Sequence, residues 1–216
     1  EMRVQKDGKI LIRVTSGPPG LISIYRFMPD GILDKSFGDQ GEVKTMVKSL
    51  SNQKTPMVIQ KDGKILIAGK YFKTDPRSTQ NIIQRITTTG KPDISFGNES
   101  IVEIPFELGS RNAMVLEKDN ILVTGEIISQ KNSESFMPED SKIGVYKIDH
   151  NGKPFPVFGN NGLSEINIKH IPYIDSSLFP SEPFYFNRHR PHSITVLKSG
   201  KILVSSTISG TPSLIR

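Results

Sequence analysis

The sequence contains no cysteine, which excludes a disulfide framework, Cys-ligated zinc and a Cys nucleophile but fits cytosolic, periplasmic and surface life equally. No stretch approaches 18 consecutive apolar residues, and no basic segment leads into an apolar one. Neither a membrane-spanning helix nor a signal peptide is therefore readable. No window of ten or more residues keeps a helical period, and 18 glycines and 15 prolines punctuate the chain. Charge of one sign is also scarce. The 28 Lys and Arg against 22 Asp and Glu leave a net +6, spread along the chain and often beside a turn, which describes a solvated surface and gives no reason to expect a nucleic-acid partner. With 216 residues the chain is long enough to bury a core without staples. It begins at Glu1 and not Met, which suggests a processed or trimmed product.

What is present is a repeat. The phrase Gln5-Lys-Asp-Gly-Lys-Ile-Leu-Ile12 returns as Gln60 to Ile67, as Glu117-Lys-Asp-Asn-Ile-Leu-Val123 and as Leu197-Lys-Ser-Gly-Lys-Ile-Leu-Val204. Its shared isoleucines, Ile10, Ile65, Ile121 and Ile202, stand 55, 56 and 81 residues apart. A second phrase alternates with it: Asp30-Gly-Ile-Leu-Asp-Lys-Ser-Phe-Gly38, Thr89 to Gly97 and Asn151 to Gly159. The whole chain, 1–216, reads as one array with units at about 1–56, 57–113, 114–193 and an incomplete 194–216, the third carrying insertions at 126–142 and 169–193. Asp-Gly between short apolar runs predicts a hairpin with a type I′ turn. Unit two then has strands at Met57–Gln60, Lys64–Gly69, Asn81–Thr87 and Ile101–Pro105, with Ile83 and Arg85 on one face and Ile82, Gln84 and Ile86 on the other. Four short strands per unit give an all-β fold of four-stranded antiparallel blades, a β-propeller with about four blades present. If a blade opens with the strand typified by Ile101–Pro105, the first blade lacks its opening strand and the fourth is complete. The array is then expected to belong to a larger or composite propeller, completed by another segment or chain.

The pattern Gln-x-Asp-Gly-Lys-Ile-Leu-x-x-Gly, then Arg, then Asp-Gly-x-Leu-Asp-x-Ser-Phe-Gly-x-x-Gly resembles the bacterial delta-60 repeats. Unit one carries the second half as Arg26, Asp30, Gly31, Leu33, Asp34, Ser36, Phe37, Gly38 and Gly41. Unit two carries the first half as Gln60, Asp62, Gly63, Lys64, Ile65, Leu66 and Gly69. Unit three departs, with Asp119-Asn120 for Asp-Gly-Lys and Phe155-Pro156 for Leu-Asp. The resemblance implies a propeller-forming, secreted or surface-displayed protein on the outer-membrane exterior of a Gram-negative bacterium, and no established activity.

The repeated Asp residues suit calcium less well than they suit capping their own turns, with Phe37, Phe96 and Phe158 filling the space between blades. The repeated Arg26, Arg85 and Arg216 suit ties from strand to turn. Residues that break the repeat are better candidates for binding. The second insertion holds Tyr173, Phe179, Phe184, Tyr185, Phe186, Arg188, His189, Arg190 and His192, with His170 near its start. Aromatics beside Arg and His suit stacking on sugars and pairing with carboxylate or phosphate. His189-x-x-His192 is too weak a pattern to assign a metal, and no Gly-x-Ser-x-Gly or paired-carboxylate pattern predicts catalysis. The expectation is a non-catalytic interaction module without cofactor, metal or membrane span. It binds a protein or glycan through Tyr173, Tyr185, Phe186, Arg188, His189, Arg190, His192 and His170. The alternatives are an extracellular polysaccharide-acting enzyme using His170, His189, Tyr185 and Arg188, and a structural spacer.

Overall fold

The computed structural model describes residues 1–17, 20–49, 55–72, 79–108, 112–128, 141–166, 190–208 and 211–215. Among them every regular element is a strand, and no helix is long and apolar enough to cross a membrane. Unit one supplies β1 (Met2–Val4), β2 (Ile10–Ser16), β3 (Leu21–Phe27) and β4 (Glu42–Lys48). Unit two supplies β5 (Met57–Ile59), β6 (Ile65–Phe72), β7 (Thr79–Ile86) and β8 (Ile101–Glu103). Unit three supplies β9 (Ala113–Glu117), β10 (Asn120–Ile128), β11 (Ser141–Ile148) and β12 (Leu163–Ile166). β13 (Arg190–Val196), β14 (Ile202–Ile208) and β15 (Thr211–Ile215) follow. Each set is an antiparallel meander in chain order. The first two join into one sheet through the single pair Lys48–Lys70, and the other two form sheets of four and three strands.

This grouping corrects the expected blade boundary. β8 bonds to β7 through Ile101–Gln84 and Val102–Ile83, so the strand after the Ser-Phe-Gly phrase closes its own unit. The first meander therefore has four strands, and the last has three among the described residues.

The Asp-Gly hairpins are also built differently from the expectation. Gly63 N donates to Gln60 O at 2.9 Å and Gln60 N to Lys64 O at 2.8 Å, which makes a three-residue loop. Only Gly63 has positive φ, at 86°, so the turn is type I followed by a glycine bulge and not type I′. Asp62 stays right-handed because its carboxylate accepts from Lys64 N at 3.1 Å, a bond that replaces the second left-handed residue. Unit three lacks the glycine and shortens the loop to Lys118-Asp119, with Lys118 at φ 55°.

The apolar periodicity separates two faces of each unit. Ile82 and Ile86 join Leu11, Ile22, Ile24 and Phe37 in a core between units one and two. Ile83, Leu66 and Phe96 join Met114, Ile121, Tyr146 and Ile148 between units two and three. Leu122, Ile143 and Val145 meet Ile194 and Val204 between units three and four, with Phe158 packed partly buried at the edge. The core is thus a series of sheet-to-sheet layers. First strands of successive units touch, β5 with β9 and β9 with β13, so the sheets fan out from a common side.

Candidate functional site

The register gives each meander two unlike ends. One end carries the β1–β2 and β3–β4 type turns, where both repeat phrases lie. There Asp34 Oδ1 accepts from Ser36 N at 3.1 Å and Ser36 Oγ at 2.5 Å, while Asp34 Oδ2 meets Arg26 Nε at 2.9 Å. The Arg26 guanidinium lies over Phe37, 4.3 Å from the ring centre, and donates at 2.5 Å to Thr88 O in the next unit. Unit two repeats the arrangement: Asp93 with Ser95, Arg85 Nε at 2.8 Å and Lys64 Nζ at 3.0 Å, and Arg85 over Phe96, donating to His150 O. Gly38 N donates to Thr89 O and Gly97 N to Asn151 O, both at 2.9 Å.

These carboxylates are structural. The Ser36 hydroxyl holds Asp34 down at about 2 against the opposing effect of burial, with the Ser36 amide and Arg26 adding to it. Burial pushes Asp93 upward, but Ser95, Lys64 and Arg85 together bring it to about 2. A permanently ionised, ion-paired carboxylate is neither a general acid nor a poised base near neutrality. In unit three Phe155 replaces the Asp and Lys147 replaces the Arg. The lysine then turns to Glu117 at 2.5 Å and lies over Phe155 and Phe158. Arg216 lies outside the described residues.

The opposite end holds the strand ends that flank the segments that break the repeat. In the four-stranded sheet Ile128 pairs with Ser141 and Ile143 with Ile166, so the strand ends that bracket residues 129–140, and the one that precedes 167–189, stand at one edge. Next to that edge lies a groove of about 330 Å³, lined by Thr79, Gln80, Asn81, Glu103, Phe106, Glu107 and Ile127 among others. Gln80 Nε2 donates to Glu103 Oε1 at 2.8 Å, and Lys70 Nζ meets Glu107 Oε2 at 2.9 Å. Gln80 Oε1 is buried without a partner among the described residues. Amide and carboxylate oxygens converging at the mouth of a groove suit a ligand that brings hydroxyl or amine donors.

Of the residues nominated from sequence, Tyr173, Tyr185, Phe186, Arg188, His189 and His170 lie outside the described residues. Arg190 opens β13 opposite Thr207, and half-buried His192 sits at an irregularity between Pro191 and Ser193. No cluster of three or more metal-ligating side chains occurs among the described residues. The groove residues carry no motif; their sequence signal is a charge reversal, since Glu103 and Glu107 occupy the positions of Lys44 and Lys48 in unit one.

Residues 60–96 match the model of a domain of unknown function described as a β-propeller. No curated protein matches the chain. Among solved structures it is similar to a protein of unknown function from Bacteroides caccae, at 14% identity and TM-score 0.44, covering 100% of this chain and 55% of that one. It is also similar to the hydrazine synthase of Kuenenia stuttgartiensis, at 10% identity and TM-score 0.50, covering 96% and 49%. A third likeness is to an exo-1,5-alpha-L-arabinanase from a bovine ruminal metagenomic library, at 11% identity and TM-score 0.42, covering 99% and 71%. The chain spans about half the length of the first two, and likeness at this identity concerns the fold alone. The recurring meanders, the cores laid between successive sheets and the family match together make this chain a β-propeller domain.

Proposed function

We propose that the domain is a non-catalytic interaction module of a secreted or surface-exposed bacterial protein of the delta-60 type, its units serving as blades. On this reading it binds a protein or glycan through the end that carries the irregular segments. The observation that supports the reading is the separation of the two ends: ion-paired turns fill one, while the strand ends around 129–140 and before 167–189 adjoin the polar groove at the other. The anchors nominated from sequence, Tyr173, Tyr185, Phe186, Arg188 and His189, all fall in 167–189.

The test is a glycan microarray and a bacterial-surface binding assay with three proteins: the full chain, a version with 167–189 replaced by a short Gly-Asn turn, and the double variant Gln80→Ala/Glu103→Ala. Binding that disappears in the altered proteins while their melting curves persist supports the reading. Binding indifferent to all these changes refutes it, as does polysaccharide cleavage abolished by His189→Ala.

A further inference from the structure

The outer face of unit one matches, position by position, faces that are covered elsewhere in the molecule. Met2, Met57 and Met114 occupy one register position, opposite Ile12, Ile67 and Val123. Met57 and Met114 are 0% and 7% exposed under the preceding unit, whereas Met2 is 60% exposed and its neighbour Val4 is 61% exposed. Tyr146 is buried against unit two, while Tyr25, its counterpart, is only half-buried. The turn acceptors are open as well. Thr88 and Thr89, and His150 and Asn151, accept the Arg and Gly donors of the preceding unit. Nothing among the described residues donates to the equivalent carbonyls of Pro29 and Asp30. A Cβ on Gly90 would strike Gly38 N, but one on Gly31 meets nothing within 4 Å.

Bulk at these joints is complementary. The cross-strand pair Gly125–Gly144 receives the ring of Phe106, and Gly69–Ile82 receives the smaller Val47. The pair at this register in unit one is Val14–Ser23, which leaves room only for a small side chain. Beside it Glu42 accepts from Ser23 and Tyr25 at 2.6 and 2.9 Å, where unit two has Ile101.

We infer that this face docks one further four-stranded unit of the same repeat type. That unit carries the Arg and the Ser-Phe-Gly turn, and has a small side chain at the position of Val47 and Phe106. The inference rests on the blade reading but not on the loop-end binding reading, and their tests are separate.

The cysteine-free chain permits a clean probe. Met2→Cys is labelled with a maleimide in the full chain and in a fusion that places a copy of residues 57–112 directly before Glu1, with Phe106 of the copy changed to Ala. The expected result is a fall in labelling rate of about tenfold or more in the fusion, from local protection of the face. The rate should recover when the copy also carries Arg85→Ala and Phe96→Ala, or when it retains Phe106. Three results overturn the inference: a copy that stays unstructured by circular dichroism and proteolysis, an unchanged labelling rate beside a folded copy, or the same rate with Phe106 as with Ala. Labelling of the unfused chain that slows with its own concentration, together with dimers in sedimentation, identifies a second copy as the occupant and likewise overturns it.

Discussion

Ser100 stands where the repeat uses glycine, and replacing it with glycine should stabilise the protein. Its φ is 79°, beside 99° at Gly41 and 89° at Gly162. The position is fully buried, and the Ser100 hydroxyl has no hydrogen-bond partner among the described residues. A left-handed conformation costs a residue with a Cβ about 1–2 kcal/mol, and an unsatisfied buried hydroxyl costs a further ~1–3 kcal/mol. Glycine returns roughly 0.5–1 kcal/mol of this through the greater freedom of its unfolded chain. Ser100→Gly is therefore expected to stabilise by about 1–4 kcal/mol, which at its lower end is a rise in Tm of about 2–4 °C for a chain of this size. Urea and thermal unfolding followed by circular dichroism measure it. The reverse change should be worse than symmetric: a Cβ at Gly41 would lie 2.6 Å from Leu33 Cγ, whereas unit two has Pro92 at the Leu33 position. Gly41→Ser is expected to cost about 2 kcal/mol or more. A midpoint for Ser100→Gly that is unchanged or lower refutes the reasoning.

Other outcomes follow from the turn end. Asp34 and Asp93 titrate lower in the folded chain than their ordinary 3.8, at about 2, so their contribution is complete above about pH 4 and is lost as pH falls through 2. A shift of this size is worth at most about 2 kcal/mol per group, nearer 1 after solvent screening. Asp34→Asn/Asp93→Asn should flatten the acid limb of the stability profile measured by urea titration between pH 2 and 5. Phe96→Ala empties the layer between units two and three and should cost about 3–5 kcal/mol, with Ile83 and Ile121 amides losing hydrogen-exchange protection first. Among the described residues no Arg–carbonyl or Gly–carbonyl tie joins unit three to unit four, since Lys147 is held by Glu117. Amides of β13–β15 should exchange faster than those of β5–β8, and equal protection across the units would contradict this.

The strand content was legible because each apolar run alternates cleanly and each turn carries its own chemistry. Ile82, Ile83, Gln84, Arg85 and Ile86 take the faces their alternation predicts. The blade boundary was not legible, because a repeat looks the same wherever one begins to count, and only the Ile101–Gln84 hydrogen bonds fix the phase. Asp-Gly was misread as a type I′ turn because the sequence does not show that the Asp62 carboxylate caps Lys64 locally. Arg26 and Arg85 tie strand to turn as their recurrence implied, although their reach into the next unit's carbonyls depends on packing between sheets. The polar groove stayed hidden because Gln80, Asn81, Glu103 and Glu107 come from separate strand ends, and the topology alone brings them together.

The division of labour between the two ends also sets where this protein tolerates change. Substitutions at Arg85, Phe96 or Gly97 each disturb a bond or layer shared by two units, and one at Asp93 removes the carboxylate that holds Arg85, so random mutagenesis should be purged there. Sequence diversity should instead accumulate around 129–140 and 167–189, whose flanking strands are already fixed by pairing within the sheet. A randomised library confined to those two segments would draw on the same folded frame for every member, which makes the domain a natural starting point for selecting new binding specificities.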